Sequence, residues 1–136
     1  MPIEGIPAVQ SSLDALVLRV QTAARKTVMD GALLIEASAK RNASGRPGPN
    51  VITGTLRRSI HPSTSQPIRT GPNRWGVEVA PHTVYGRRIE LGFHGADSLG
   101  RIYNQPAFPY FTPGVRSSRA GIYAAAVRNF ARAVGR

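Results

Sequence analysis

Cysteine is absent from the 136 residues. That excludes disulfide stapling, thiolate catalysis and any zinc site built on Cys. No run of 18 apolar residues occurs, so no membrane-spanning helix is expected. Carboxylates are scarce: seven Asp and Glu stand against eighteen Lys and Arg, a net charge of +11. So few acids leave little for paired-carboxylate hydrolysis. Glu78 and Glu90 are the best candidates, and each reads more readily as a charge partner for Arg87, Arg88 or another chain. The histidines are His61, His82 and His94, spaced 21 and 12 residues apart. Those spacings match no compact metal motif. A GxSxG elbow, a GxxxxGK[ST] loop and a GxGxxG turn are all missing. So are a zinc finger, a basic helix with leucine heptads and an aromatic–basic sheet signature for nucleic acid. No catalytic, cofactor-binding or metal-binding constellation is expected from these residues. Glu4 precedes every Lys and Arg, so a basic signal-peptide start is lacking. The chain is expected to act where it is made, or inside an assembly built there.

What is present fits one domain. A chain of 14.6 kDa should expose roughly 6,900 Å² when compactly folded. Hydrophobic residues make up 41% of the sequence and charged ones 18%, which argues against wholesale disorder. Eleven prolines and fourteen glycines predict long irregular stretches. Residues 1–10 (MPIEGIPAVQ) read as an extended N-terminal arm, and 11–136 as a single domain. Ser11 or Ser12 would cap the first helix, with Asp14 in its first turn. Leu13, Leu16, Val17, Val20, Ala24, Thr27, Val28, Ala32, Ile35 and Ala39 then mark one helical face. Gly31 is expected to bend this helix or mark where it leaves the core. Breakers from Asn42 to Gly48 end it, and 43–52 reads as a flexible basic loop.

Leu56 and Ile60 favour a short helix after Thr53-Gly54-Thr55. Trp75, Val77 and Val79 alternate with smaller or polar residues, predicting one strand over 74–80 with Trp75 in the core. Its partner is expected within 59–70, across the turn at Thr70-Gly71-Pro72-Asn73. Residues 83–91 predict another short helix, closed by Gly92. Residues 93–105 read as a loop, with one strand at most around Ile102-Tyr103. Gln105 to Phe111 places three aromatic rings beside two prolines and reads as a rigid strap over a core or at a subunit contact. Thr112 would cap the last helix, with Pro113 first inside it. Its expected inner stripe is Val115, Ile122, Ala126, Phe130 and Val134. The fold class is α+β: two main helices on a small, mostly antiparallel sheet, with a short extra helix and long Pro/Gly-rich loops.

The charge is uneven. Residues 98–136 hold six arginines and no carboxylate, and sixteen of the eighteen cations are Arg. Arg suits bidentate pairing with carboxylate or phosphate. The field favours an acidic neighbouring protein or a polyanion, and no tight basic run resembles a nucleic-acid tail.

Three motifs in order carry a resemblance. They are Thr53-Gly54-Thr55-Leu56-Arg57-Arg58-Ser59, then Tyr85-Gly86-Arg87-Arg88-Ile89-Glu90-Leu91-Gly92, then Pro106-Ala107-Phe108-Pro109-Tyr110-Phe111-Thr112-Pro113. With the long Ala-rich helix before them, they resemble the HK97 gene-10-like family of tailed-bacteriophage neck proteins, over about residues 12–134. Gly86 stands where that family usually has alanine, and Phe93-His94-Gly95 replaces a Gly-Thr turn. The resemblance implies a non-enzymatic tail-completion or head–tail joining protein of the virion neck, made in the bacterial host cytoplasm. It implies a ring of identical copies, hexameric, between the head connector or stopper protein and the tail terminator or tail tube, with double-stranded DNA passing through. The expected subunit or neck interface is Tyr85, Arg88, Glu90, Phe93, Phe108, Tyr110 and Phe111. Arg46, Arg57, Arg58 and Arg87 are expected at the DNA channel or an acidic partner. No membrane partner is expected. The alternative is a structural protein that binds nucleic acid without sequence preference.

Overall fold

The computed structural model describes residues 5–136. Two long helices dominate. α1 spans Ile6–Asn42, 37 residues, or about 55 Å at 1.5 Å per residue. α4 spans Phe111–Ala133, 23 residues. Between them lie α2 (Thr55–Ser59), α3 (Gly86–Leu91) and six short strands, an α+β arrangement.

The expected arm at 1–10 does not hold where it can be followed. Residues 1–4 lie outside the described residues, and the chain is helical from Ile6. Pro7 falls in the first turn, where a missing N–H costs no hydrogen bond. Ser11 and Ser12 are therefore interior, and Gly5 takes the cap position. α1 runs unbroken through Gly31. That residue is buried under α4, where a Cβ would lie 3.5 Å from the Ile122 side chain. α1 ends at the Asn42–Gly48 breakers, with Lys40 and Arg41 in its last turn, where cations suit the helix dipole. The following loop, expected to be flexible, folds back far enough to bury Gly48 and Pro49.

α1 and α4 pack antiparallel through small residues. Gly114 faces Ala39, and Ile122 faces Gly31. The Ser118 hydroxyl lies 3.0 Å from Ser38 Oγ and 2.7 Å from the Gly114 carbonyl. Asn129 Nδ2 donates to Thr27 Oγ1 at 3.1 Å and to Asp30 Oδ2 at 2.9 Å. Lys26 also donates to Asp30, and these two contacts outweigh burial and hold the carboxyl below its usual range. The buried face of α4 is thus Gly114, Ser118, Ala125, Asn129 and Ala133. The expected stripe of larger residues is not that face: Val115, Ile122, Ala126 and Phe130 are only half-buried, and Val134 is exposed. Close backbone approach is the reason. A Cβ on Gly114 would stand 2.8 Å from the Ala39 amide nitrogen, so large side chains are turned aside.

The sheet is three separate two-stranded antiparallel ladders. β1 (Ile60–Pro62) pairs with β4 (Val79–Pro81), placing Ile60 opposite Pro81. β2 (Ile68–Gly71) pairs with β3 (Arg74–Gly76) across the expected turn, with a register shift between Arg69 and Gly71. The single strand expected over 74–80 is therefore split. Pro62 and Pro67 interrupt its partner, so its two halves pair with different segments. β5 (Phe93–Ala96) and β6 (Ile102–Gln105) form a hairpin; β6 falls on the strand expected around Ile102-Tyr103, and β5 lies where only loop was expected. Trp75 is half-buried, with the Arg25 guanidinium 4.9 Å above its ring.

The buried centre is small. Ala39, Ala43, Ile60 and Tyr110 form it, with Leu56, Val79, Ile89 and Phe111 around it. The chain exposes 9547 Å², about 2,600 Å² more than a compact monomer of this mass should. Large apolar side chains are among the exposed residues, including Leu99, Ile102 and Tyr123.

The seam gives a paired expectation. Ala is favoured over Gly inside a helix by about 1 kcal/mol. At Gly121 an added Cβ meets only the end of the Leu34 side chain, at 3.3 Å. Gly121→Ala should therefore be neutral or stabilising. Gly114→Ala should instead cost about 1–3 kcal/mol, because backbone cannot move aside as a side chain can. Urea unfolding of the two variants checks the contrast.

Candidate functional site

The three sequence motifs meet at one end of the molecule. α3 is the junction. Glu90 Oε2 accepts hydrogen bonds from the Tyr110 and Phe111 backbone N–H groups at 2.7 and 2.9 Å, and Oε1 accepts from Thr112 N–H at 2.9 Å. These amides open α4, where donors lack intrahelical partners and negative charge is favoured. Glu90 therefore caps α4 from outside its own segment. The expected cap by Thr112 is replaced, and Pro113 falls inside the first turn because α4 begins at Phe111. Burial pushes the Glu90 carboxyl pKa up, but the backbone donors together outweigh it and hold the group below its ordinary value of 4.5.

Tyr110 is fully buried, at 0% exposure. Its hydroxyl donates to the Gly86 carbonyl at 3.1 Å, and its own carbonyl accepts from Asn42 Nδ2 at 3.1 Å. Burial raises its phenol pKa far above the usual range, with the Glu90 charge adding to the effect. The strap is further fixed where Phe108 N–H donates to the Ile89 carbonyl at 2.8 Å. Gly92 ends α3 with φ 75°. A Cβ there would stand 2.8 Å from the Gln105 carbonyl oxygen, so the strap can pass only beside glycine.

These contacts correct part of the expected interface. Tyr110 cannot meet a neighbour, because no part of it reaches the surface. The Glu90 carboxylate is spent on α4 and is neither a partner for Arg87 or Arg88 nor a free acid. Phe111 is half-buried against the core. Four of the seven keep an outward component. Tyr85 is 38% exposed, Phe93 and Phe108 are half-buried, and Arg88 is exposed. The Arg88 guanidinium lies 4.1 Å from the Phe93 ring centre, and Arg46 lies 4.2 Å from that of Phe108. Such stacking holds an arginine in place while leaving its charge at the surface.

Tyr85 and Ile89 line a cleft of about 220 Å³ with Val51, Ile52, Thr53 and Thr55. The first and second motifs thus share one surface depression. Arg57 donates to Ser44 Oγ at 3.1 Å, which sets it against the loop carrying Arg46. Arg58 and Arg87 are exposed, and no ion pair holds either among the described residues. Among the described residues, Arg101 is the one arginine paired with a carboxylate, that of Asp97 at 2.7 Å.

Sequence reading missed the β5–β6 hairpin. Asp97 organises its turn by accepting from Leu99 and Arg101 N–H groups, both at 2.9 Å. The Asp97-Ser98-Leu99-Gly100 turn signal was available in the sequence. The hairpin tip presents Leu99 and Ile102 to solvent, 75% and 85% exposed. Elsewhere, His61 and His82 stack with ring centres 4.1 Å apart. Among the described residues no three His, Asp or Glu side chains gather in a metal-binding arrangement, and no helix is long and apolar enough to cross a membrane. Comparison with protein-family models, with curated proteins and with solved structures gives no match.

The cap carries a pH signature. A carboxyl whose folded pKa lies below its unfolded value stabilises the fold above that unfolded value. That stability is lost as pH falls from about 4.5 through the folded pKa. Glu90→Gln should cost about 1–2 kcal/mol at pH 7, and the gap from wild type should narrow as pH falls below about 4.5. Glu78→Gln, at an exposed carboxylate with no partner among the described residues, should change little at either pH. Thermal melts across pH 3–7 check both.

Proposed function

We propose that this chain is a structural subunit of a tailed-bacteriophage neck. In this reading identical copies form a ring, hexameric, between the head connector or stopper and the tail terminator or tail tube. Double-stranded DNA passes through it, and the chain performs no catalysis. It is made in the host cytoplasm and carried in the virion.

One observation carries the reading: the three motifs of the resemblance, separated in sequence, converge on one cap and one cleft. Glu90 of the second motif closes the helix begun by the third, and Tyr85 of the second lines a cleft with Thr53 and Thr55 of the first. Two further features agree with it. The excess accessible surface is what a subunit built to be covered by neighbours would carry. The unpaired arginines suit acidic neighbours or weak, sequence-blind contact with passing DNA. Tight binding to DNA would impede its transit.

The test uses particles from a phage lacking this chain, which should accumulate as filled heads and free tails. Purified wild-type protein should join them, counted by electron microscopy. Tyr85→Ala or Phe108→Ala should lower joined particles about tenfold or more, as loss of a central contact does. Full joining by both variants, or none by wild type, overturns the reading. A duplex-DNA titration at two salt concentrations separates the alternative. A nucleic-acid-binding structural protein would bind tightly, with affinity falling steeply as salt rises.

A further inference from the structure

The first turns of α1 lie beyond the rest of the fold. α4 runs back along α1 only to Ala133, which sits beside Leu18, Thr22 and Ala23. The β2–β3 hairpin flanks Leu16, Val17 and Val20 through Asn73 and Trp75. Every residue from Gly5 to Ala15 is exposed. Yet this segment is not a polar helix. Ile6, Val9, Leu13 and Val17 follow three- and four-residue steps, which puts them in one stripe. All four are more than half exposed. The same spacing continues through Val20, Ala24 and Thr27 to Gly31, which packs under α4. The stripe continues, past the rest of the fold, a row that meets the β2–β3 hairpin at Val17 and Val20 and α4 at Thr27 and Gly31.

A second apolar feature lies elsewhere on the chain. An open groove of about 380 Å³ runs between α1, α4 and the β3–β4 segment. Its walls include Val28, Ile35, Val77, Val79 and Val115, and no charged residue lines it.

We propose that the N-terminal segment of α1 in one copy seats in this groove of the next copy. The inference rests on the reading of the chain as a ring subunit and names the contact that would close the ring. Charge favours this pair of surfaces. Two chains of net charge +11 repel one another, and close approach costs least where cations are missing. Asp14 is the sole charged residue from Gly5 to Leu18, and the groove has none. Size agrees as well. A subunit with a neighbour on each side buries about 1,600 Å² of its own surface in two standard contacts, and the excess here is large enough to supply it. Stripe and groove occupy different parts of the chain, so the contact is head-to-tail and propagates, as ring closure requires. Pairing two α1 stripes with each other would instead close a dimer and leave both grooves open.

The lack of native cysteine makes cross-linking a clean test. Val9→Cys, Leu13→Cys and Val17→Cys are each combined with Val115→Cys. Within one chain, Val17 lies about 27 Å along α1 from Ile35, which shares the groove with Val115. That is far beyond disulfide reach of about 7 Å. The variants are oxidised as free protein and inside joined particles. At least one pair should give a reducible ladder extending past the dimer, and no single-cysteine variant should. A dimer from a single cysteine in the α1 segment overturns the proposal in favour of stripe-to-stripe pairing. Joining of heads to tails with no ladder from any pair overturns the contact and leaves the neck reading standing. A ladder from protein that joins nothing supports the contact and overturns the neck reading.

Discussion

A single carboxylate on three backbone amides organises the end of the molecule where all the motifs meet. Glu90 lies on a helix of only six residues, too short to persist alone. Its hold on Tyr110, Phe111 and Thr112 fixes where α4 starts, and therefore the line along which α4 returns over α1. Tyr110 is trapped by the same arrangement. Its amide is bound by Glu90, its carbonyl by Asn42 and its hydroxyl by Gly86. A buried tyrosine is tolerable only when its polar atoms are satisfied in this way. The central cluster of Ala39, Ala43, Ile60 and Tyr110 depends on that closure.

The α1–α4 seam then sets the character of the surface. Glycine, alanine and serine let the two backbones approach closely, and close approach leaves little volume for large side chains between them. The larger apolar residues of α4 are displaced sideways or outward, as Tyr123 and Val127 show. The thin core and the extensive apolar exterior have one cause. A monomer with this distribution gains less from burial than its size allows, and covering by neighbours would recover the difference.

The helices were legible because their spacing and breakers are local. α1 ends at its Pro/Gly cluster, and Gly92 closes α3 as its position suggested. Failures occurred where a distant segment decides the outcome. The inner face of α4 was misread because a periodic row of Val, Ile and Phe ordinarily marks the buried side. Here the approach of Gly114 to Ala39, 75 positions away in the chain, overrides it. Capping of α4 by Glu90 spans some twenty residues, so no pattern at the helix start announces it. The aromatic strap fits the expectation of a segment laid over a core at Tyr110, which turns inward, whereas a place for Tyr110 at a subunit contact does not survive its burial. Pro7 was read as a reason for extended chain, although proline is equally at home in a first helical turn.

Three arginines sit over aromatic rings: Arg25 over Trp75, Arg46 over Phe108 and Arg88 over Phe93. A free arginine gives up considerable rotational entropy when it engages an anion. A guanidinium already held over a ring has surrendered part of that freedom before any encounter, while it keeps its charge. Were the proposed neck partners to present acidic groups, these three sites would meet them at a lower entropic cost than the unstacked arginines, whose charge is readily screened.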